Sequence, residues 1–566
     1  MSLKALPVPP IPEETARVAR AAFPGGTRCL QIRDTLGTLY TDADFADLFP
    51  TRGQPAEAPW RLALVTVLQF VEGLSDRQAA DAVRSRLDWK YALSLELTDP
   101  GFDHSVLSEF RTRLVQGGAA QRLLDVLLEQ SKARGWLTAR GHQRTDATHV
   151  LAAVRALNRL ECVGETLRHA LNVLAEVAPA WLRPYVAQAH PEWAERYSRR
   201  IEEYRLPTGT TARRANAEVV GADGWDLLQA LEGSEAPAWL RELPAVQSLR
   251  RVWAQQYQAR EAGGHWRPAE ELPPAGQVQN SPDDPDARYG KKRETTWIGY
   301  KVHLTETCDP DTPHRLIQVT TTPAATADGT MLPEIQDDLA QHALLPSIQL
   351  VDTGYIDAEA LATSRTQFGI DLVGPTRGDY RWQARRPVRD QPPDSAQESE
   401  PFDRSHFAID WVARRVTCPE GRTSTQWTPA EDRRPRVPRA VITVAFSAAD
   451  CRRCPSHTRC TQQARRTLTL HPQAHEEALR AAREREQTPA FALAYAQRAG
   501  VESAHAQGLR VCGLRRSRYV GQAKTHLQHV VTAVALNLVR LSAWLTGTPL
   551  APTRQSTFAR LMAEAA

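Results

Sequence analysis

Tyr495, Arg498 and Glu502 stand at i, i+3 and i+7 in the stretch YAQRAGVESAHAQGLR. In an α-helix those offsets share one face. A tyrosine, an arginine and a carboxylate facing one way suit a metal ion held beside a phosphate better than they suit a core. Two aspartates offer the glutamate partners. Asp146 lies inside GHQRTDATHVLAAV, a strand pattern rich in β-branched residues, and a buried carboxylate is costly unless paired or metal-bound. Asp352 closes the strand pattern of SIQLVDTGYI, at the end where open α/β sheets place functional groups. Three carboxylates on three core elements can converge on one or two Mg2+ ions, which favour hard oxygen ligands. Paired ions about 3.5–4 Å apart stabilise the attacking and leaving oxygens of an in-line phosphoryl displacement. Spacing alone leaves plainer roles open: Asp146 capping a turn, or Glu502 pairing with Arg498 at i, i+4.

The charge around this stretch is one-sided. The chain of 566 residues carries a net charge of only +4. Yet from Ser503 to Ala563 it holds no acidic residue, while Arg510, Arg515, Arg516, Arg518, Lys524 and Arg540 occur. A basic tract directly after a carboxylate-bearing helix points to a polyanion, DNA or RNA. A hydrophobic fraction of 42% and a charged fraction of 24% are ordinary for a soluble globular protein of several domains. No run of about 18 apolar residues exists, so no membrane span is expected. MSLKALPVPPIPEE has no apolar signal core, so secretion is not expected either.

The elements that must position these groups follow from pattern. The first forty or so residues read as a loose arm. PWRLALVTVLQFVEG and GLSDRQAADAVRSR predict two helices around a glycine turn, the second opened by a Ser75/Gln78 capping box. Such a pair, with Arg84 and Arg86 at its end, is a candidate helix-turn-helix. Further helices lead to Gly135, a C-cap glycine. The strand holding Asp146 comes next, then a helical insert and a long loop, LPPAGQVQNSPDDPDARYGKKRE. GYKVHLTETC and HRLIQVTTTPA pair as a hairpin, followed by helix, strand, helix and strand. The order is that of an α/β core. A small β-rich, cysteine-bearing insert interrupts it before a long helix from about His475. The expected boundaries are 1–140 for the arm and helical DNA-binding domain, 141–157 for the first core strand and 158–290 for the helical insert and loop. They continue with 291–376 for the core, 377–470 for the linker and cysteine insert, 471–545 for the glutamate helix and a basic C-terminal helix, and 546–566 for a tail.

Eight cysteines in a chain without secretion signals argue against a disulfide framework. Cys29, Cys162, Cys308 and Cys512 are scattered and fit small buried residues. Cys451, Cys454 and Cys460 cluster in CRRCPSHTRC, with Cys418 earlier. Four thiolates suit a structural Zn2+. The rival is an iron–sulfur cluster, since one distant cysteine plus C-x2-C-x5-C is similar to the pattern in some nuclease domains of bacterial recombination enzymes. Free thiols without metal are the third option.

Over essentially its whole length the chain resembles the bacterial insertion-sequence DDE transposases. The resemblance rests on LSDRQAADAVRSRLDWKYAL, TDATHV, SPDDPDARYGKKRETTWIGYKVHLTETCD, VDTGY and VESAHAQGLRVCGLRRSRYVGQAKTHLQHVVTAVALNLVRL. It implies a ribonuclease-H-like core, with Asp146 from TDATHV, Asp352 from VDTGY, and Glu502 as the metal-binding triad for Mg2+ or Mn2+. Tyr495, Arg498 and Glu502 fit the Y-x2-R-x3-E part of a family pattern. Its final basic slot holds Leu509, with Arg510 one place later. The implied activity is hydrolysis at transposon ends and attack of the freed 3′-hydroxyl on target DNA. The implied partners are double-stranded end and target DNA and, at synapsis, a second copy of the chain, in the cytoplasm at the nucleoid. The rivals are a nuclease without strand transfer and a catalytically silent DNA-binding protein.

Overall fold

The computed structural model describes residues 2–260, 263–310, 312–378, 401–433, 438–548 and 557–564. The chain divides into two units, one of 1–138, 146–326 and 500–566, the other of 139–145 and 327–499. Most of the expected linker after Arg377 lies outside the described residues, as does part of the tail.

In the first unit the expected loose arm is helical. Glu13–Ala22 and Arg28–Leu36 are α-helices, and Ala19 and Leu30 pack with Tyr91 in a buried cluster. The Thr15 hydroxyl donates to the Leu95 carbonyl at 2.8 Å. These helices are short and mostly polar outside one stripe, so only their docking surface reveals them. The helix Pro59–Glu72 starts with proline at its first turn and is buried on nearly every side. Gly73, at φ +69°, ends it, and the expected Ser75/Gln78 capping box opens Asp76–Ser85.

Strand β1 (Arg140–Leu151) is buried almost continuously, as a strand covered on both faces must be. A helical insert follows, its core built around Trp193, Trp253 and Leu167. Strand β2 (Arg288–Lys292) falls in the segment expected to be loop. RYGKK carries a single large apolar residue, and pairing with β3 (Thr295–Thr307) makes it a strand, Tyr289 facing Ile298. β3 also pairs antiparallel with β4 (Leu316–Pro323), as the hairpin pattern predicts. The helix Gln522–Leu545 covers β4. Asn537 accepts from the Leu316 amide at 2.8 Å and donates to its carbonyl at 2.7 Å, and His529 Nδ1 lies 2.7 Å from the Thr321 hydroxyl. The expectation of a basic helix here needs correction. It is a core helix, buried from Leu527 to Leu538, and Arg540 is taken up by Glu306 at 2.5 Å.

In the second unit, residues 140–145 of β1 pair in parallel with β5 (Pro346–Val351), from Arg140↔Pro346 to Thr145↔Val351. β5 pairs in parallel with β6 (Asp371–Val373). The helix Leu332–Gln341 leads into β5 and Ala358–Phe368 connects β5 to β6, the expected alternation of strand and helix. The β-rich insert holds an antiparallel sheet of β7 (Gln426–Asp432), β8 (Arg439–Ala445) and β9 (Thr467–Leu470). The long helix expected from His475 is broken. Gln473–Glu486 stops, and Thr488 caps a new helix, Pro489–Ala496, by accepting from the Phe491 amide. Pro489 lacks the N–H that would continue the first helix. A 3-10 turn, Gln497–Ala499, then precedes Gly500–Cys512.

Candidate metal centre and basic tract

Within the first unit, β1 and the helix Gly500–Cys512 bring three donors together. The ligand atoms of Asp146, Glu502 and His505 all lie within 4.8 Å of one another. Asp146 is 4% exposed, and its Oδ1 accepts the Ala147 amide at 2.8 Å. The helix buries Val501, Ala504, His505, Gly508 and Cys512, the i, i+3, i+4, i+7 stripe of an amphipathic helix. Its Cys512 thiol donates to the Phe70 carbonyl at 3.5 Å, fastening it to Pro59–Glu72. Glu502 sits at the stripe's border. Its side chain is 59% exposed, against 3% for His505, and His505 Nδ1 is 4.0 Å from Glu502 Oε2. A buried carboxylate, a half-open carboxylate and an imidazole form a donor set that fits a divalent ion of borderline hardness.

His505 is the residue that the sequence pattern did not flag. Its signal was present as E-x2-H, since i and i+3 are neighbours on a helix surface. Known helix-borne metal sites use that same pair.

Asp352, in the second unit, follows β5 directly. Its Oδ1 accepts the Gly354 amide at 2.8 Å. A Cβ on Gly354 would stand 2.8 Å from that oxygen, so a side chain there would push the Asp352 carboxylate aside. Within that unit Thr145 and Val351 are register partners. Tyr495 is half-buried and stacks on Phe491, centroids 5.5 Å apart at 7°. Arg498, also half-buried, lies in the 3-10 turn. The expectation of one helical face for Tyr495, Arg498 and Glu502 therefore needs correction. A 3-10 turn advances about 120° per residue, so a single α-helical period does not run from Tyr495 to Glu502.

The basic residues divide by what holds them. Arg510, Arg516 and Lys524 are exposed. Arg515 donates to the Thr148 hydroxyl at 2.9 Å, beside β1, and Arg518 lies over the Phe70 ring and donates to the Leu74 carbonyl at 3.2 Å. Arg84 is exposed and holds the Pro100 carbonyl at 3.0 Å. Arg86 is engaged by Glu72 and, through two nitrogens, by Asp88. The exposed positive charge thus runs from the end of the glutamate helix, through the turn that follows, to the first turn of Gln522–Leu545.

Residues 417–542 match the family model described as Transposase DDE domain, and residues 17–113 match that described as Transposase domain (DUF772). Both matches support an insertion-sequence transposase of the DDE type. The DDE-domain match contains Glu502, His505, the exposed basic residues and the cysteine segment, while the second covers the N-terminal helices with Arg84 and Arg86. No curated protein matches the chain. Among the described residues no helix is long and apolar enough to cross a membrane.

Proposed function

We propose that the chain is a DNA transposase that binds double-stranded transposon ends, cleaves them and transfers the freed end to target DNA. The observation that carries this is the convergence of Asp146, from β1, with Glu502 and His505, from the C-terminal part of the chain, in a chain with two transposase matches. The core belongs to the ribonuclease-H-like class. Asp146 and Glu502 hold Mg2+ or Mn2+, with Asp352 as the third carboxylate. Asp352 is included on the resemblance of VDTGY to the family's second aspartate motif. A bound divalent ion supplies Lewis acidity toward the scissile phosphate and a lowered pKa for the attacking water or hydroxyl. Asp146, buried on a strand, fixes the floor of the site. Glu502, half-open to solvent, faces the substrate side. Arg498 and Tyr495 neutralise and hydrogen-bond phosphate oxygens, and Arg510, Arg515, Arg516, Arg518 and Lys524 grip the DNA backbone, with Arg84 in the N-terminal domain. Two ends must meet, so the active species at synapsis is a homodimer.

The test is a strand-transfer assay with the transposon's end DNA and Mg2+ or Mn2+. Wild type yields joined product. Asp146→Asn, Asp352→Asn and Glu502→Gln bind ends in a gel-shift assay but neither cleave nor join. Cleavage without joining converts the protein to a nuclease, and binding without cleavage to a silent DNA-binding protein. Wild-type cleavage by any of the three variants removes that carboxylate from the site.

A further inference from the structure

The β-rich insert carries a second cluster with no part in phosphoryl transfer. Cys418, Cys451, Cys454 and Cys460 all line one cavity. We propose that these four side chains bind one Zn2+ as a structural site that holds the insert together, independently of the transposase reading.

Two tight turns present the thiols. Cys418 follows the short strand Arg415–Thr417. Its amide donates to the Arg422 carbonyl at 2.8 Å, and its carbonyl accepts the Gly421 amide at 2.9 Å. Gly421 sits at φ +77°, which a side chain would strain. On the other side, the Cys454 amide donates to the Cys451 carbonyl at 3.2 Å, and Cys460 ends the single turn His457–Cys460. A further bond ties the two halves. The Ser456 hydroxyl donates to Glu420 at 2.6 Å, linking the Cys418 turn to the segment between Cys454 and Cys460.

Charge and size favour a single ion. Four thiolates around Zn2+ leave a net negative charge, and Arg422 and Arg466 border the cavity. Arg466 is 5% exposed and donates to the Cys460 carbonyl at 2.9 Å. The cavity that the four thiols line measures about 30 Å³, room for an ion or one or two waters. The insert also needs a staple. Its buried core is a small group around Phe407, Val444 and Phe446, with Cys418, Cys451 and Cys460 at its margin. A core of that size supplies too little burial to stand alone, and small modules of this kind are commonly closed by metal. On binding, the four thiols release their protons and the ion's affinity becomes folding free energy. His457 borders the same cavity, but its Nε2 lies 3.0 Å from the Gln463 carbonyl, and it stays outside the ligand set.

The experiment is elemental analysis of the full chain purified without added metal. The expected result is roughly one zinc per chain, released when a mercurial reagent titrates the thiols and detected with a chromogenic zinc indicator. Cys454→Ser loses at least about nine-tenths of the zinc, while His457→Ala keeps it. Should Cys454→Ser fail to fold, X-ray absorption at the zinc edge of the wild type decides, with four sulfurs at about 2.3 Å expected. Protein without metal, iron with acid-labile sulfide, or a nitrogen in the zinc shell each overturns the proposal. None of these readouts uses DNA, so a failure here is distinct from a failure of transposition.

Discussion

His505 changes what the metal centre should prefer. Two carboxylates alone suit Mg2+, whereas an added imidazole moves the preference toward Mn2+ and its softer neighbours. His505→Ala should therefore raise the Mn2+ concentration needed for half-maximal cleavage by roughly tenfold and leave the Mg2+ requirement less affected. An equal shift for both ions would make His505 a packing residue. A second histidine serves stability. His529 is wholly buried against β4, and burial, with a smaller contribution from His526, pushes its pKa down to about 3. The folded state then binds fewer protons than the unfolded state between about pH 6.5 and 3. Stability is full above that window and is lost as the pH falls through it, by about 5 kcal/mol at most. Urea midpoints measured across this range should slope less for His529→Gln, which keeps a polar partner for Thr321 but does not titrate. Identical slopes would remove His529 as the titrating group.

At the scale of elements, the position of β1 depends on close backbone approach. Gly299, on β3 at φ +151°, would place a Cβ 2.2 Å from the Val150 carbonyl oxygen of β1. Backbone cannot rotate away as a side chain can, so Gly299→Ala should destabilise the protein by about 3 kcal/mol or more. Thermal unfolding would show it, and an unchanged midpoint would mean that β1 and β3 separate without cost. Elements whose signals are local were legible in the sequence. The Ser75/Gln78 box, proline at the start of Pro59–Glu72, the β3–β4 hairpin and the strand under Asp146 each announce themselves within a few residues. β2 and the N-terminal helices did not, because their segments are too polar to show a period and are recruited by a partner surface. The break at Pro489 was legible in principle, since Thr-Pro at the start of an apolar run is a helix N-terminus. The Tyr, Arg and Glu spacing hides the second break, at Gln497–Ala499, because it fits one face of a continuous helix equally well.

For the whole molecule, affinity for DNA should be salt-dependent. Neutralising Arg510, Arg516 and Lys524 together should reduce the slope of log affinity against log salt by about 0.9 for each phosphate whose charge is no longer matched. An unchanged slope would place the DNA backbone against other residues. Metal binding should also appear in global stability. An ion at about 100 times its dissociation constant adds about 2.7 kcal/mol to the folded state, so Mn2+ should raise the unfolding midpoint of the wild type and have a smaller effect on Asp146→Asn.

What the sequence by itself determined is the local chemistry: the strands and helices with strong periods or caps of their own, which aspartates end or interrupt strands, where basic charge accumulates and where four cysteines gather. These depend on hydrogen bonds and side-chain periods that close within a few residues. Only the tertiary structure decided which groups meet. Asp146 and Glu502 come from distant parts of the chain, and bringing them together means closing a long loop against its entropy. His505 becomes a ligand candidate only because a buried aspartate stands beside its helix. Arg540 and Arg86, equal to the other arginines in the sequence, are set apart by the carboxylates that the fold brings to them.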